Sequence, residues 1–227
     1  MKQSTWIIPS ILMGLLLLPI YSCKKNDQPT PSNTVADIEG NVYHTVTIGS
    51  QVWMVENLKV SKYTDGTAIP LVTDNTAWGN LTTAGYCWYN NDAANKNIYG
   101  SLYNWYTINT FKLCPNGWHV PSVDDWATLT SFIAGTHAAG GKLKETGTTH
   151  WQSPNTAATD EYSFKALPGG WRDNNGGAFN LIGQDGYWWS TTYLSDPDML
   201  YISYGSDQVT VTSRDFRAGL SIRCVKD

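Results

Sequence analysis

Val42, His44, Val46 and Ile48 alternate with Tyr43, Thr45 and Thr47; Gly49-Ser50 breaks the run and Val52-Trp53-Met54-Val55 resumes an extended pattern. A period of two on either side of a Gly-Ser break predicts a β-hairpin. Helical spacing is clearest further on, where Trp126, Leu129, Thr130 and Ile133 recur at steps of three and four. Ser122 precedes that run with Asp125 three positions later, a reciprocal capping pair, and Gly135 stops it. Residues Ala138 to Glu145 predict a second, shorter helix, weakened by Gly140-Gly141. Between Lys59 and Asn97 the chain is rich in Thr, Asn, Asp and Gly with aromatics interspersed, which reads as loops and short strands. Strand character returns after Ser163, in Trp188 to Thr192, Leu200 to Tyr204, Gln208 to Thr212 and Leu220 to Val225. Strands, helix, loops and strands again predict a single loop-rich α+β domain with short antiparallel sheets.

The N-terminus is patterned differently. Lys2 precedes an apolar run from Trp6 to Ile20, shorter than the roughly 20 residues that span a bilayer and suited to a signal peptide over residues 1–22. Ile20-Tyr21-Ser22-Cys23 resembles a bacterial lipobox, in which the Cys thiol is acylated and becomes the first residue after cleavage. Residues 23–36 then read as the lipidated Cys and a polar, Pro-broken linker, closed by Asn33 and Thr34. The domain is expected over 37–227, tethered through Cys23 to the membrane of the cell envelope. Lys24 follows Cys23 where an Asp would favour retention at the inner membrane, so the outer membrane is expected.

Composition narrows the partners. Lys and Arg number 15 against 19 Asp and Glu, a formal net charge of −4. That balance offers no basic surplus for a phosphate backbone, and nucleic acid is excluded as an expected partner. Charged residues make up 15% and aromatics 13%, too aromatic for a disordered chain. No HExxH, CxxC, GxSxG or phosphate-cradling glycine loop occurs, and His44, His119, His137 and His150 are scattered as turn or surface residues. We expect no metal or other cofactor. Calcium is the one ion with suitable oxygen donors, at Asn90-Asn91-Asp92 and Asp173-Asn174-Asn175, although such clusters are foremost turn formers.

The tryptophans divide by context. Trp53, Trp118, Trp126 and Trp188 fall in periodic or motif-bearing segments and read as core, whereas Trp78, Trp151 and Trp171 lie in polar loops. An exposed loop aromatic can stack on a sugar face; a buried one packs beneath the loop. Trp171, Asp173 and Asn174, with Trp78 and Trp151, are therefore the ligand-binding candidates. Cys87, between Tyr86 and Trp88, reads as buried packing.

Several blocks together resemble one family. Ile48-Gly49-Ser50-Gln51-Val52-Trp53-Met54-Val55-Glu56-Asn57-Leu58, Tyr99-Gly100-Ser101-Leu102-Tyr103-Asn104-Trp105-Tyr106 and Leu113-Cys114-Pro115-Asn116-Gly117-Trp118-His119-Val120-Pro121-Ser122 follow in order. With Tyr187-Trp188-Trp189-Ser190 and the closing Ser221-Ile222-Arg223-Cys224-Val225-Lys226-Asp227, they resemble the Fibrobacter succinogenes major paralogous domain. That resemblance implies a secreted or lipid-anchored bacterial protein. More distantly, Trp118 to Trp126 and Ser221 to Cys224 are similar to the helix start and C-terminal end of sulfatase-modifying-factor domains, which implies a C-type-lectin-like fold. Such folds commonly tie the helix region to the last strand, which would pair Cys114 with Cys224; three buried free thiols are the alternative. The formylglycine-generating relatives need two closely spaced cysteines, and only Cys224 follows Cys114 here, so their enzyme activity is not implied.

The reading that results is a lipid-anchored, non-catalytic binding or adhesion domain whose partner is a glycan or a surface protein. The alternatives are an enzyme acting on envelope polysaccharide, with a carboxylate pair such as Asp92 and Asp173, and a structural spacer.

Overall fold

The structure is a computed structural model and describes Met1 and residues 33–227; the leader and Cys23 lie outside the described residues. The expected hairpin is present as Val42–Ile48 and Gln51–Met54, with Val46 opposite Trp53. It lies within a five-stranded sheet. Asn33–Ala36 pairs with Val42–Ile48 on one side, and on the other Gln51–Met54 pairs with Val225–Lys226, which pairs with Trp118–His119. Residues 33–36 were expected to be tether. They form an edge strand instead, because Val35 packs against the core and the turn that follows is held by Asp37. The Asp37 carboxylate accepts from the Glu39 and Asn41 amides and, at 2.7 Å, from the buried hydroxyl of Tyr43.

The capped helix is Val123–Ile133. Ser122 Oγ accepts from the Asp125 amide, and the Asp125 carboxylate accepts from the Ser122 amide at 2.8 Å. Its buried side chains are Trp126, Leu129, Thr130 and Ile133, the residues whose spacing predicted it. Trp126 stacks on Trp53 at 4.7 Å, joining helix and sheet through two residues read as core. Trp188 is also fully buried, whereas Trp118 is half-buried at the sheet edge.

Helix Thr136–Leu143 contains the Gly140-Gly141 pair that weakens its local propensity. The glycines are there for contact. A Cβ on Gly140 would sit 2.3 Å from the Gln208 carbonyl oxygen, and Gly141 donates its amide to the Asp207 carbonyl. Gly140→Ala should therefore destabilise the domain by about 1–3 kcal/mol, although Ala is the better helix former. A urea midpoint equal to or above wild type would refute that close packing.

The second sheet is three-stranded, with Pro197–Ser203 between Asp185–Tyr193 and Val209–Ser213, as the pattern predicts. Leu220 to Val225 departs from expectation. Leu220 bridges to Tyr103 and Ser221 to Trp188, and only Val225–Lys226 is a regular strand. This segment threads the interior, with Leu220, Ile222, Cys224 and Val225 all buried. Cys114 is bonded to Cys224, and Cys87 is a buried thiol pushed up to about 12 by desolvation.

Arg223 is buried in this segment without a carboxylate partner among the described residues. Its guanidinium donates to Asn57 Oδ1 and to the Phe164 and Lys165 carbonyls, and lies 4.2 Å over the Phe164 ring. Burial lowers its pKa to about 9. Nearby Asp160 is raised from 3.8 to about 6, chiefly by desolvation, against the Lys165 amide that it accepts. Between those values the folded protein keeps a proton that the unfolded chain has released. Stability should thus fall as pH rises from about 4 to about 6, with the slope removed in Asp160→Asn. Urea unfolding of both proteins across that window checks it; parallel profiles would refute it.

Candidate functional site: an amide-lined cleft

The region read as loops and short strands also holds short helices, among them Asn75–Gly79 and Ala93–Tyr99, capped by Asp74 and Asp92. Both are too brief to show helical periodicity, so their Asp caps read as turn residues. Helix Asn75–Gly79 forms one wall of an open cleft of about 480 Å³, lined by Asn75, Thr76, Gly79 and Asn80. The facing wall is the turn Asn174-Asn175-Gly176 after strand Trp171–Arg172, and Arg217 completes the lining.

Arg172 joins the two walls. It is fully buried, and its guanidinium is sandwiched between Trp78 at 4.6 Å and Phe179 at 4.7 Å. Nε donates to the Gly177 carbonyl at 3.0 Å and Nη1 to the Val72 carbonyl at 2.6 Å. Nη2 donates to the Thr73 carbonyl at 3.0 Å and to Asn75 Oδ1 at 2.9 Å. One cation thus gathers four oxygens from both sides of the cleft. Gly177, at φ +66°, lets the turn approach closely; a Cβ there would lie 2.7 Å from the Asn75 carbonyl oxygen. Arg217 fixes the remaining side, donating from Nη1 to the Gly79 carbonyl and bidentately to Asp215 at 2.8 Å.

Within this frame the side-chain amides of Asn174 and Asn175 have no partner among the described residues. Asn75 uses its oxygen on Arg172, and Asn80 donates to the Thr76 carbonyl. The walls therefore offer amide donors and amide acceptors together. A hydroxyl both donates and accepts, so that mixture suits a neutral polyhydroxyl ligand better than a cation, which needs acceptors, or a phosphate, which needs donors.

The residues singled out in the sequence fall in several places. Asn174 lines the cleft. Trp78 does not face ligand; it is fully buried beneath the cleft as the platform for Arg172. Trp151 is likewise interior, donating to the Ala166 carbonyl with Lys144 Nζ 5.5 Å from its ring. Burial overturns the exposed-loop expectation for both: each ring turns inward although its neighbours Thr76 and Asn80, or Gln152 and Ser153, stay exposed. Trp171 is half-buried, with the Arg214 guanidinium 4.1 Å from its ring. Asp173 is half-buried, and Asp92 accepts from the Ala94 amide as a helix cap. Neither Asp92 nor Asp173 lines the cleft. Asn90 and Asn91 both take left-handed backbone, in keeping with a turn role. Sequence reasoning missed Arg172 altogether. The available signal was its position between Trp171 and Asp173-Asn174-Asn175 in a chain with only four arginines.

The model of the Fibrobacter succinogenes major domain matches residues 46–226. The chain belongs to this family. The family match spans the cleft walls, the Arg172 clamp and the Cys114–Cys224 bond. Strand Asn33–Ala36 and the start of Val42–Ile48 precede the matched span. Neither a curated protein nor a solved structure matches this Fibrobacter succinogenes major domain chain. Among its described residues no helix is long and apolar enough to cross a membrane.

Proposed function

We propose that this protein is lipid-anchored in the bacterial cell envelope through Cys23, at the outer membrane, and that its domain binds glycan in the amide-lined cleft without catalysing a reaction. The observation that carries the binding reading is the pair of amides without a partner among the described residues, Asn174 and Asn175, lining the cleft with Asn75 and Asn80 beside the Arg172 clamp. A preorganised cleft loses little side-chain freedom when a sugar enters. The same reading takes the architecture as C-type-lectin-like. Support for that comes from the motifs at Trp118–Trp126 and Ser221–Cys224, and from an N-terminal hairpin that shares its sheet with the C-terminal strand.

Screening the full chain against a glycan array tests the binding reading. Asn174→Ala should weaken the selected neutral glycan by about 1–2 kcal/mol, the range for a hydrogen bond lost from a partly buried site. Unchanged binding, or no glycan retained, would reject the cleft. For the anchor, a palmitate analogue should label the wild-type chain and not Cys23→Ser; equal label on both would reject lipidation.

A further inference from the structure

The chain contains four arginines: Arg172, Arg214, Arg217 and Arg223. In three of them the guanidinium has hydrogen-bond partners through every nitrogen. Arg172 and Arg223 donate to buried carbonyl and amide oxygens, and Arg217 holds Asp215 bidentately. Arg214 differs. Its backbone amide donates to the Pro197 carbonyl, but among the described residues its guanidinium has no hydrogen-bond partner and no carboxylate within salt-bridge distance. The group is nevertheless held in place. Its carbon lies 4.1 Å from the centre of the Trp171 ring and 5.9 Å from that of Tyr187, and Tyr187 stacks on Tyr201 at 5.6 Å. Tyr187 and Tyr201 are cross-strand partners, which sets the ladder on one face of the three-stranded sheet. On this face the Asp185 carboxylate is occupied by the Tyr187 hydroxyl at 2.8 Å.

Arg214 Nε and, in the same cluster, Trp171 Nε1 are buried without a partner among the described residues, whereas the two terminal nitrogens of Arg214 are not buried and are the donors that face a ligand. A planar guanidinium stacked on an aromatic ring, with its donors free, is the arrangement that receives a carboxylate through two parallel hydrogen bonds. Half-buried Tyr201 and Trp171 beside it offer apolar surface for a sugar ring. We propose that Arg214, stacked on Trp171 beside Tyr187 and Tyr201, is a second binding site of this domain that takes the carboxylate of an acidic sugar, a hexuronate. The site rests on the glycan-binding reading for its ligand class, but it uses residues outside the amide-lined cleft.

Calorimetric titration of the full chain in detergent micelles with sodium glucuronate, glucose and sodium sulfate tests the assignment. Glucuronate should bind and glucose should not compete with it. Arg214→Ala and Arg214→Gln should each weaken glucuronate about tenfold or more, the scale of a lost charge-assisted pair. Arg214→Lys should recover only part, because an ammonium lacks the planar fork. Melting temperature should hold in all three variants, since Arg214 carries no hydrogen bond through its side chain; if Arg214→Ala unfolds, Arg214→Gln, which keeps a stem over Trp171, decides. Wild-type affinity in Arg214→Gln overturns the proposal, as does absence of glucuronate binding. Sulfate competing with affinity equal to glucuronate overturns the sugar-acid assignment. The two sites fail separately. Loss of neutral glycan in Asn174→Ala with glucuronate indifferent to Arg214 rejects this site alone, and the converse rejects the cleft alone.

Discussion

Arg172→Ala is expected to destabilise the domain by about 3–5 kcal/mol, the largest single-residue effect foreseen here. The substitution leaves the Val72 and Gly177 carbonyls without the donor that satisfies them. It also opens a void between Trp78 and Phe179, which would lose a cation from their faces. For a domain of this size the melting temperature should drop by about 10 °C. Arg172→Lys should recover little, because one ammonium cannot reach oxygens that three guanidinium nitrogens now serve. The near-ultraviolet dichroism of Trp78 should change in both variants. A loss below about 1 kcal/mol in urea unfolding would show that the clamp does not organise the cleft.

The second large effect belongs to the Cys114–Cys224 bond, which closes a separation of 110 residues. A crosslink over so long a loop removes many unfolded conformations, so Cys224→Ser should cost about 4 kcal/mol. Both sulfurs are buried, so a mild reductant should act on the unfolded chain far faster than on the folded one. Unfolding midpoints with and without reductant measure the contribution, and a non-reduced digest identifies the linked peptides. Coincident midpoints would set the crosslink aside.

What the sequence made legible follows from where the information is local. Ser122 and Asp125 announce a helix start in four residues, and Val42 to Ile48 announce a strand by alternation, because capping and pleating act over a few positions. The disulfide came from family likeness, which left free thiols as an alternative until the fold brought Cys114 and Cys224 together. The helix expected over Ala138 to Glu145 is present as Thr136–Leu143, but its Gly140-Gly141 pair could not be explained from local propensity, because the reason for the glycines is a distant backbone, at Asp207 and Gln208. Trp78 and Trp151 misled because polar sequence neighbours do not fix which way a ring points: Thr76, Asn80, Gln152 and Ser153 stay exposed while the two rings turn inward under Arg172 and Lys144. The role of Arg172 was hidden for a further reason. Most of its acceptors are backbone carbonyls, which any residue supplies, so no partner type marks the clamp in the sequence.

Strand Asn33–Ala36 has a mechanical consequence. Tension arriving along the preceding chain enters the domain at the end of an antiparallel ladder, at the Asn33–Thr45 pair. Under such a load the pairs open in succession, Ala36–Val42 last, each bearing the force in turn. Peeling then meets Asp37, whose carboxylate is fastened to Asn41 and to the buried Tyr43 hydroxyl. The edge strand behaves as a tear strip that yields first, and the Asp37 turn as the stitch that keeps a pull on the preceding chain from reaching the core.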